Sequence, residues 1–147
     1  MVSKDYIGII YALGAAILWG LVYNFDQKIL TKTSPLAILF LGSLITAVIT
    51  LPFAILNWES IKPALFSENR QFLYFFIATQ ILVILAEFFI FSSIQNVGAS
   101  IASFFEIAYP LFVAIFAFII FDGKLNMYFW IGAVLMFFGG VIITKYS

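Results

Sequence analysis

The sequence contains no cysteine and no histidine among its 147 residues. Disulfides, thiol redox chemistry, zinc sites built from cysteine and histidine, haem ligated by histidine and every mechanism with a histidine base are thereby excluded. Charge is also scarce, since 10% of the residues are charged, against about 25% in a typical soluble domain. Seven basic and seven acidic residues cancel, so no basic surface for nucleic acid is expected.

Apolar residues dominate what is present. Hydrophobic residues make up 65% of the chain and aromatic residues 20%, whereas soluble domains contain about 45–50% apolar residues. A water-soluble enzyme or binding module, a disordered chain, collagen and a coiled coil do not fit these values. The composition therefore predicts a polytopic membrane protein that contacts lipid. It predicts no cofactor, no metal, no nucleic-acid partner and no catalytic constellation.

Five apolar stretches are long enough to cross a membrane, which takes about 20 mostly apolar residues in a helix. They are continuous rather than alternating, unlike the strands of an outer-membrane barrel. We predict an all-α fold, a polytopic transmembrane helical bundle with five transmembrane helices at about 6–28, 34–56, 72–93, 98–121 and 126–144. The polar loop at about 57–71 has apolar residues at helical spacing, which favours either a short interfacial helix or a solvated loop.

The basic residues favour neither orientation of this bundle. With five spans the two termini lie on opposite sides, and lysine and arginine normally accumulate on the cytoplasmic side. One side carries four of the seven basic residues and the other carries three: Lys4, Lys62, Arg70 and Lys124 against Lys28, Lys32 and Lys145. Either a partner sets the orientation, or the chain inserts both ways, or the slight excess places the N-terminus inside.

Two acidic residues, Glu87 and Glu106, lie within apolar spans that contain no central lysine or arginine. Ionisable groups at membrane depth are costly and are therefore candidate functional groups. A carboxyl group in such surroundings can exchange a proton for a cation, as a proton-coupled exporter requires. Pro110 favours a functional role for Glu106. Because proline has no N–H, the carbonyl of residue 106 is left without its helical partner and the helix is expected to kink there. The alternative is a structural kink beside a neutral acid bonded to serine or tyrosine.

Further polar and aromatic residues are candidates for lining a cavity. Glu87 shares a helix face with Gln80. The two side chains either form part of a site or bond to a neighbouring helix. Trp19 can hold a cation over its ring beside a bend at Gly20, although packing is the alternative. The predicted cavity-lining residues are Trp19, Asn24, Gln80, Ser103 and Tyr109, and the predicted kinks are Gly20 and Pro110.

Two other features of the helices complete the predictions for single residues. Asp26 lies near the end of the first helix, where its side chain is expected to reach water. Gly132, Gly139 and Gly140 share one face of the uncharged fifth helix. Small residues let helices approach closely, so this face is predicted to serve helix packing or dimerisation.

Several short motifs occur in a recognisable order along nearly the whole chain. They are Trp19-Gly20 in the first helix, Ser34-Pro35-Leu36 opening the second, Gly98-Ala99-Ser100 opening the fourth, Glu106 with Pro110, and the glycines of the fifth. This order resembles a single EamA-type repeat of the drug/metabolite transporter (DMT) superfamily. The chain departs from the family pattern after the fourth helix. It has Phe121-Asp122-Gly123-Lys124 where the family usually has Gly-Glu and a basic residue.

Typical members of this superfamily carry two such repeats, so the resemblance implies that this chain is half of an inverted-repeat transporter. An odd number of spans inverts the next copy, and the substrate cavity lies between the copies. The second copy is expected from an antiparallel homodimer or from a separate five-helix subunit. The charge balance suits dual insertion.

The resulting expectation is a secondary transporter of small metabolites or drug-like compounds in a prokaryotic inner or plasma membrane. Its substrates would be cationic, zwitterionic or neutral, and transport would be proton-coupled through alternating access. Glu106 is the first candidate for proton coupling or substrate contact, and Glu87 is the second. The alternative is a non-transporting membrane subunit that scaffolds a partner protein.

Overall fold

A computed structural model of the chain describes residues 4–66, 70–121 and 126–146. Within these ranges the backbone is helical and contains no strand, which confirms the all-α prediction. The helices are α1 (Lys4–Leu30), α2 (Pro35–Leu56), α3 (Trp58–Leu65), α4 (Arg70–Val97), α5 (Ala99–Glu106), α6 (Tyr109–Phe121) and α7 (Met127–Tyr146).

Four stretches of these helices are long and apolar enough to cross a membrane. They are Tyr6–Leu30, Pro35–Leu56, Arg70–Val97 and Ala99–Ile120, and a shorter apolar helix covers Met127–Ile142. At a rise of about 1.5 Å per residue, each long stretch covers the roughly 30 Å hydrocarbon core of a bilayer. The architecture is therefore a helical membrane bundle of about five helices, as predicted.

The chain divides into two units, which consist of residues 1–28 with 93–147 and of residues 29–92. In the second unit, Ser34 caps α2 by accepting a hydrogen bond from the Ala37 N–H at 3.2 Å, and Pro35 occupies the first helical position. Proline is tolerated there because that N–H would have no helical partner. The polar segment after α2 contains α3, so the helical interpretation of that segment is correct.

Helix α4 extends beyond the predicted 72–93 at both ends. The polar residues that suggested an earlier end are tolerated inside the helix. Ser92, for example, donates its hydroxyl hydrogen to the Phe88 carbonyl at 2.7 Å. Gly98 ends the run with a φ of 85°, a left-handed conformation that favours glycine. Gly98 is therefore the cap before α5 rather than the first residue of the next helix.

The predicted fourth helix, 98–121, is interrupted by a two-residue turn at Ile107 and Ala108. Pro110 explains the interruption, because its ring nitrogen cannot donate to the Glu106 carbonyl and its ring would clash with that oxygen. Ala108 instead donates to the Phe105 carbonyl at 3.2 Å, and Leu111 donates to the Ala108 carbonyl at 3.0 Å. The expected kink is thus a break that places Glu106 at the last position of α5.

Candidate functional site

The strongest candidate site lies where α1 meets α5, within the unit formed by residues 1–28 and 93–147. The hydroxyl of Tyr23 on α1 donates a hydrogen bond to Oε2 of Glu106 at the end of α5. Tyr23 is 7% exposed, whereas Glu106 is exposed. The pair therefore joins a buried donor to an exposed acidic residue, and the donor sets the orientation of the carboxylate. Hydrogen bonds to carboxylates are among the stronger ones in proteins.

A second contact joins the same two helices at the other end of α5. Gln27 lies one helical turn after Tyr23, and its Oε1 accepts a hydrogen bond from the Ala99 N–H at 2.7 Å. The first N–H groups of a helix have no partner within the helix, so Gln27 acts as a cap supplied by another element. The eight-residue α5 is consequently held by α1 at its first and its last residue.

An aromatic contact on α1 adjoins the Tyr23 side chain. The Trp19 ring lies 5.6 Å from the Tyr23 ring, centroid to centroid, with the planes inclined at 58°. Trp19 is 50% exposed, so part of its indole ring remains open to a ligand. Two open groups, the Trp19 indole and the Glu106 carboxylate, therefore flank the buried Tyr23 side chain.

Comparison with known protein families identifies the family of this chain. The model of the EamA-like transporter family matches residues 6–145. The chain belongs to this family. The resemblance noted in its motifs is confirmed, and the protein is a multi-pass membrane protein of a transporter family within the DMT superfamily. No curated protein and no solved structure matches the chain.

The other predicted cavity residues of this unit of the EamA domain do not bond to the Glu106 carboxylate in the contacts seen here. Asn24 is exposed, and its Nδ2 donates to the Gly20 carbonyl of its own helix at 2.8 Å. Ser103 is half-buried, and its hydroxyl donates to the Ser100 carbonyl at 3.1 Å. Tyr109 is exposed at the start of α6, beyond the break. Serine or tyrosine was the partner expected for Glu106 in the alternative of a structural kink, and the partner in the structure is tyrosine.

Glu87 and Gln80 both lie on α4, in the unit formed by residues 29–92. Glu87 is half-buried and Gln80 is exposed. Glu87 remains the second candidate for proton coupling.

The expectation that the Asp26 side chain reaches water is wrong. Asp26 is 8% exposed and lies three residues after Tyr23, on the same face of α1. Sequence reasoning thus missed two members of the site region, the Tyr23 donor and the buried Asp26. Their spacing with Gln27 was an available signal, since polar residues at i, i+3 and i+4 line one face of a helix.

The glycines of α7 have different surroundings. A Cβ added at Gly140 would lie 3.6 Å from Cε1 of Phe104 on α5, whereas one added at Gly132 or Gly139 would meet open space. Beside this contact lies an apolar cavity of about 150 Å³, lined on the α5–α6 side by residues around the break, including Phe105 and Ile107. Gly140 is therefore a helix-packing position in this unit.

The described ranges contain no group of three acidic, histidine or cysteine residues that could hold a metal ion. Gly20, predicted as a bend, lies within the continuous helix α1 and accepts the Asn24 hydrogen bond through its carbonyl. The predicted fourth span, in contrast, is interrupted before Pro110. The α1–α5 region offers the carboxyl groups of Glu106 and of the buried Asp26, the Tyr23 phenol, the Gln27 amide and the partly exposed Trp19 indole.

Proposed function

We propose that this EamA domain is a secondary transporter of small metabolites or drug-like compounds, and that Glu106 binds the substrate or the coupling proton. The observation that carries the proposal is an exposed carboxylate at a helix break within a membrane span, oriented by the buried Tyr23. Interrupted helices that leave backbone carbonyls free are a recurring way to build transporter sites. An ionisable group within a span is costly and is best explained by a function.

The charges around the spans favour cationic, zwitterionic or neutral substrates. The sequence between Arg70 and Lys124 contains no lysine or arginine, while Glu87 and Glu106 both lie within it. Phosphate groups are usually bound by arginine or lysine, so phosphorylated compounds fit this region poorly. The open part of the Trp19 indole adds a surface that attracts organic cations.

The proposed working unit is an antiparallel dimer, either of two copies of this chain or with a second five-helix subunit. In the most apolar window of each of the four long spans, at most 6% of the residues are buried. Those surfaces suit lipid or a second bundle. Five spans reverse the direction of the chain, so a copy inserted in the opposite sense would supply the inverted half that alternating access uses. We place this dimer in a prokaryotic inner or plasma membrane.

Replacement of Glu106 by glutamine tests the proposed role. Glutamine keeps the size of the side chain and an oxygen that can accept the Tyr23 hydrogen bond, but it cannot carry a proton. Purified protein in proteoliposomes with an entrapped pH-sensitive dye would be exposed to a panel of organic amines, amino acids and neutral compounds. We expect compound-induced proton flux for the native protein and none for Glu106→Gln.

Glu59→Gln is the matched control, because Glu59 lies in the first turn of α3 rather than in one of the long apolar spans. This variant should transport like the native protein. Unchanged flux in Glu106→Gln would remove Glu106 from the mechanism. Absence of flux for the native protein with every compound, together with stable association with another membrane protein, would favour the scaffolding role.

A further inference from the structure

The two contacts between α1 and α5 differ in chemistry. The contact between Gln27 and Ala99 joins an amide oxygen to a backbone N–H, so neither partner changes charge. The contact between Tyr23 and Glu106 involves an ionisable group. A carboxylate accepts a stronger hydrogen bond than a neutral group does. A proton or a cation that reaches Glu106 therefore competes with the Tyr23 hydroxyl and leaves the Gln27 contact unaffected.

The two residues of this pair differ in exposure. Tyr23 is buried and its ring packs against Trp19, whereas Glu106 is an exposed residue. The backbone breaks immediately after Glu106, at Ile107 and Ala108. Loss of the Tyr23 contact would thus free the end of α5 next to the break, while Gln27 still holds its beginning.

We propose that Tyr23 is a positioning residue, which holds the Glu106 carboxylate against α1 until a proton or a substrate cation displaces the hydroxyl. This inference rests on the proposed function of Glu106 and adds how that group is held before it binds a proton or a substrate. A second acidic side chain, the buried Asp26, lies three residues after Tyr23 on the same face of α1. Its own reactivity is therefore followed in the same experiment.

The test uses N,N′-dicyclohexylcarbodiimide, an apolar reagent that modifies protonated carboxyl groups, on the full chain in lipid vesicles at one fixed pH. Mass spectrometry of the digested protein gives separate rates for Glu106, Glu87 and Asp26. The variant is Tyr23→Phe, which keeps the ring against Trp19 and removes only the hydroxyl. We expect Glu106 to react about tenfold faster, the scale on which a hydrogen bond to a charged group acts.

Tyr11→Phe is the matched control. Tyr11 lies on the same helix and is exposed, and its replacement should leave the Glu106 rate unchanged. Equal Glu106 rates in Tyr23→Phe and the native protein would overturn the proposal. So would a parallel rise at Glu106 and Glu87, because that pattern indicates general loosening rather than loss of one contact.

The result for Tyr23→Phe is distinguishable from failure of the proposed function, because measuring the modification rate requires no transport. If Glu106→Gln still transports, the role of Glu106 in coupling fails, but the rate in Tyr23→Phe still reports whether the hydroxyl holds the carboxylate. If the rate is unchanged while Glu106→Gln is inactive, the proposed function stands without the positioning role of Tyr23.

Discussion

At the scale of single residues, the surroundings of Glu106 depend on hydrogen bonds that cross between helices. Tyr23 lies 83 residues before Glu106, and Gln27 lies 72 residues before Ala99. Each contact satisfies a polar group that lipid cannot satisfy, and an unsatisfied polar group in an apolar environment costs several kcal/mol. The side chains of α1 therefore stabilise the position of α5.

Gln27→Ala is expected to destabilise the protein by about 1–2 kcal/mol, because the Ala99 N–H loses its partner at a helix terminus. Thermal unfolding in mild detergent measures the change. Asn24→Ala is the control, since its side chain bonds to a carbonyl within its own helix, and a cost below about 0.5 kcal/mol is expected. Equal losses in the two variants would contradict the capping role of Gln27.

The candidate residues differ in how far the sequence alone could predict their surroundings. Glu106 was identified from its charge in an apolar span and from Pro110, which are local signals. Its tyrosine partner could not be identified, because the direction in which a side chain on α1 points depends on how α1 packs. Trp19, Asn24, Gln80, Ser103 and Tyr109 remain predictions as cavity-lining residues.

At the scale of the elements, the contact between α5 and α7 places the Phe104 ring beside Gly140. Phe104 lies at ordinary contact distance from the position of a Cβ there, while the adjacent Gly139 faces open space. Both residues belong to one helix and occur as a pair in the sequence. Their different roles follow from the 100° rotation between successive residues of a helix.

Gly140→Leu is expected to destabilise the protein by about 1–3 kcal/mol, since the leucine atoms beyond Cβ would crowd the Phe104 ring. Gly139→Leu provides the control at the neighbouring position and should change stability little in the single chain. Thermal unfolding in detergent compares the two variants. A larger loss for Gly139→Leu than for Gly140→Leu would contradict the packing assigned to Gly140.

Local sequence patterns are sufficient to predict some helix boundaries but not others. The N-terminus of α2 follows from Ser34 and Pro35, whose capping chemistry acts within one turn. The break after Glu106 was expected only as a kink. Proline removes one hydrogen bond in either case, and whether the helix bends or separates depends on what else the chain can bond to at that point.

At the scale of the whole molecule, the antiparallel dimer is a proposal that rests on the balanced basic residues and the mostly exposed apolar spans. The absence of cysteine makes its orientation measurable with one introduced thiol. For Ser147→Cys we expect a membrane-impermeant maleimide to label about half of the molecules in intact cells and all of them after lysis, because no strong charge bias sets one orientation.

The control for this measurement is a reference membrane protein of known, single orientation that carries one thiol. It should be labelled completely or not at all in intact cells. Complete or absent labelling of Ser147→Cys in intact cells would contradict dual insertion. The second five-helix subunit would then have to be a different chain, inserted in the opposite sense.

The sequence by itself determined that the protein is a helical membrane protein of the EamA-like transporter family, and where most of its helices lie. These properties depend on composition, continuous apolar runs and short-range capping signals. The tertiary structure alone decided that Glu106 bonds to Tyr23, that Gln27 caps α5, that Asp26 is buried and that Gly140 is the packed glycine. Each of these outcomes depends on which face one helix presents to another, and that face is set by packing between segments far apart in the chain.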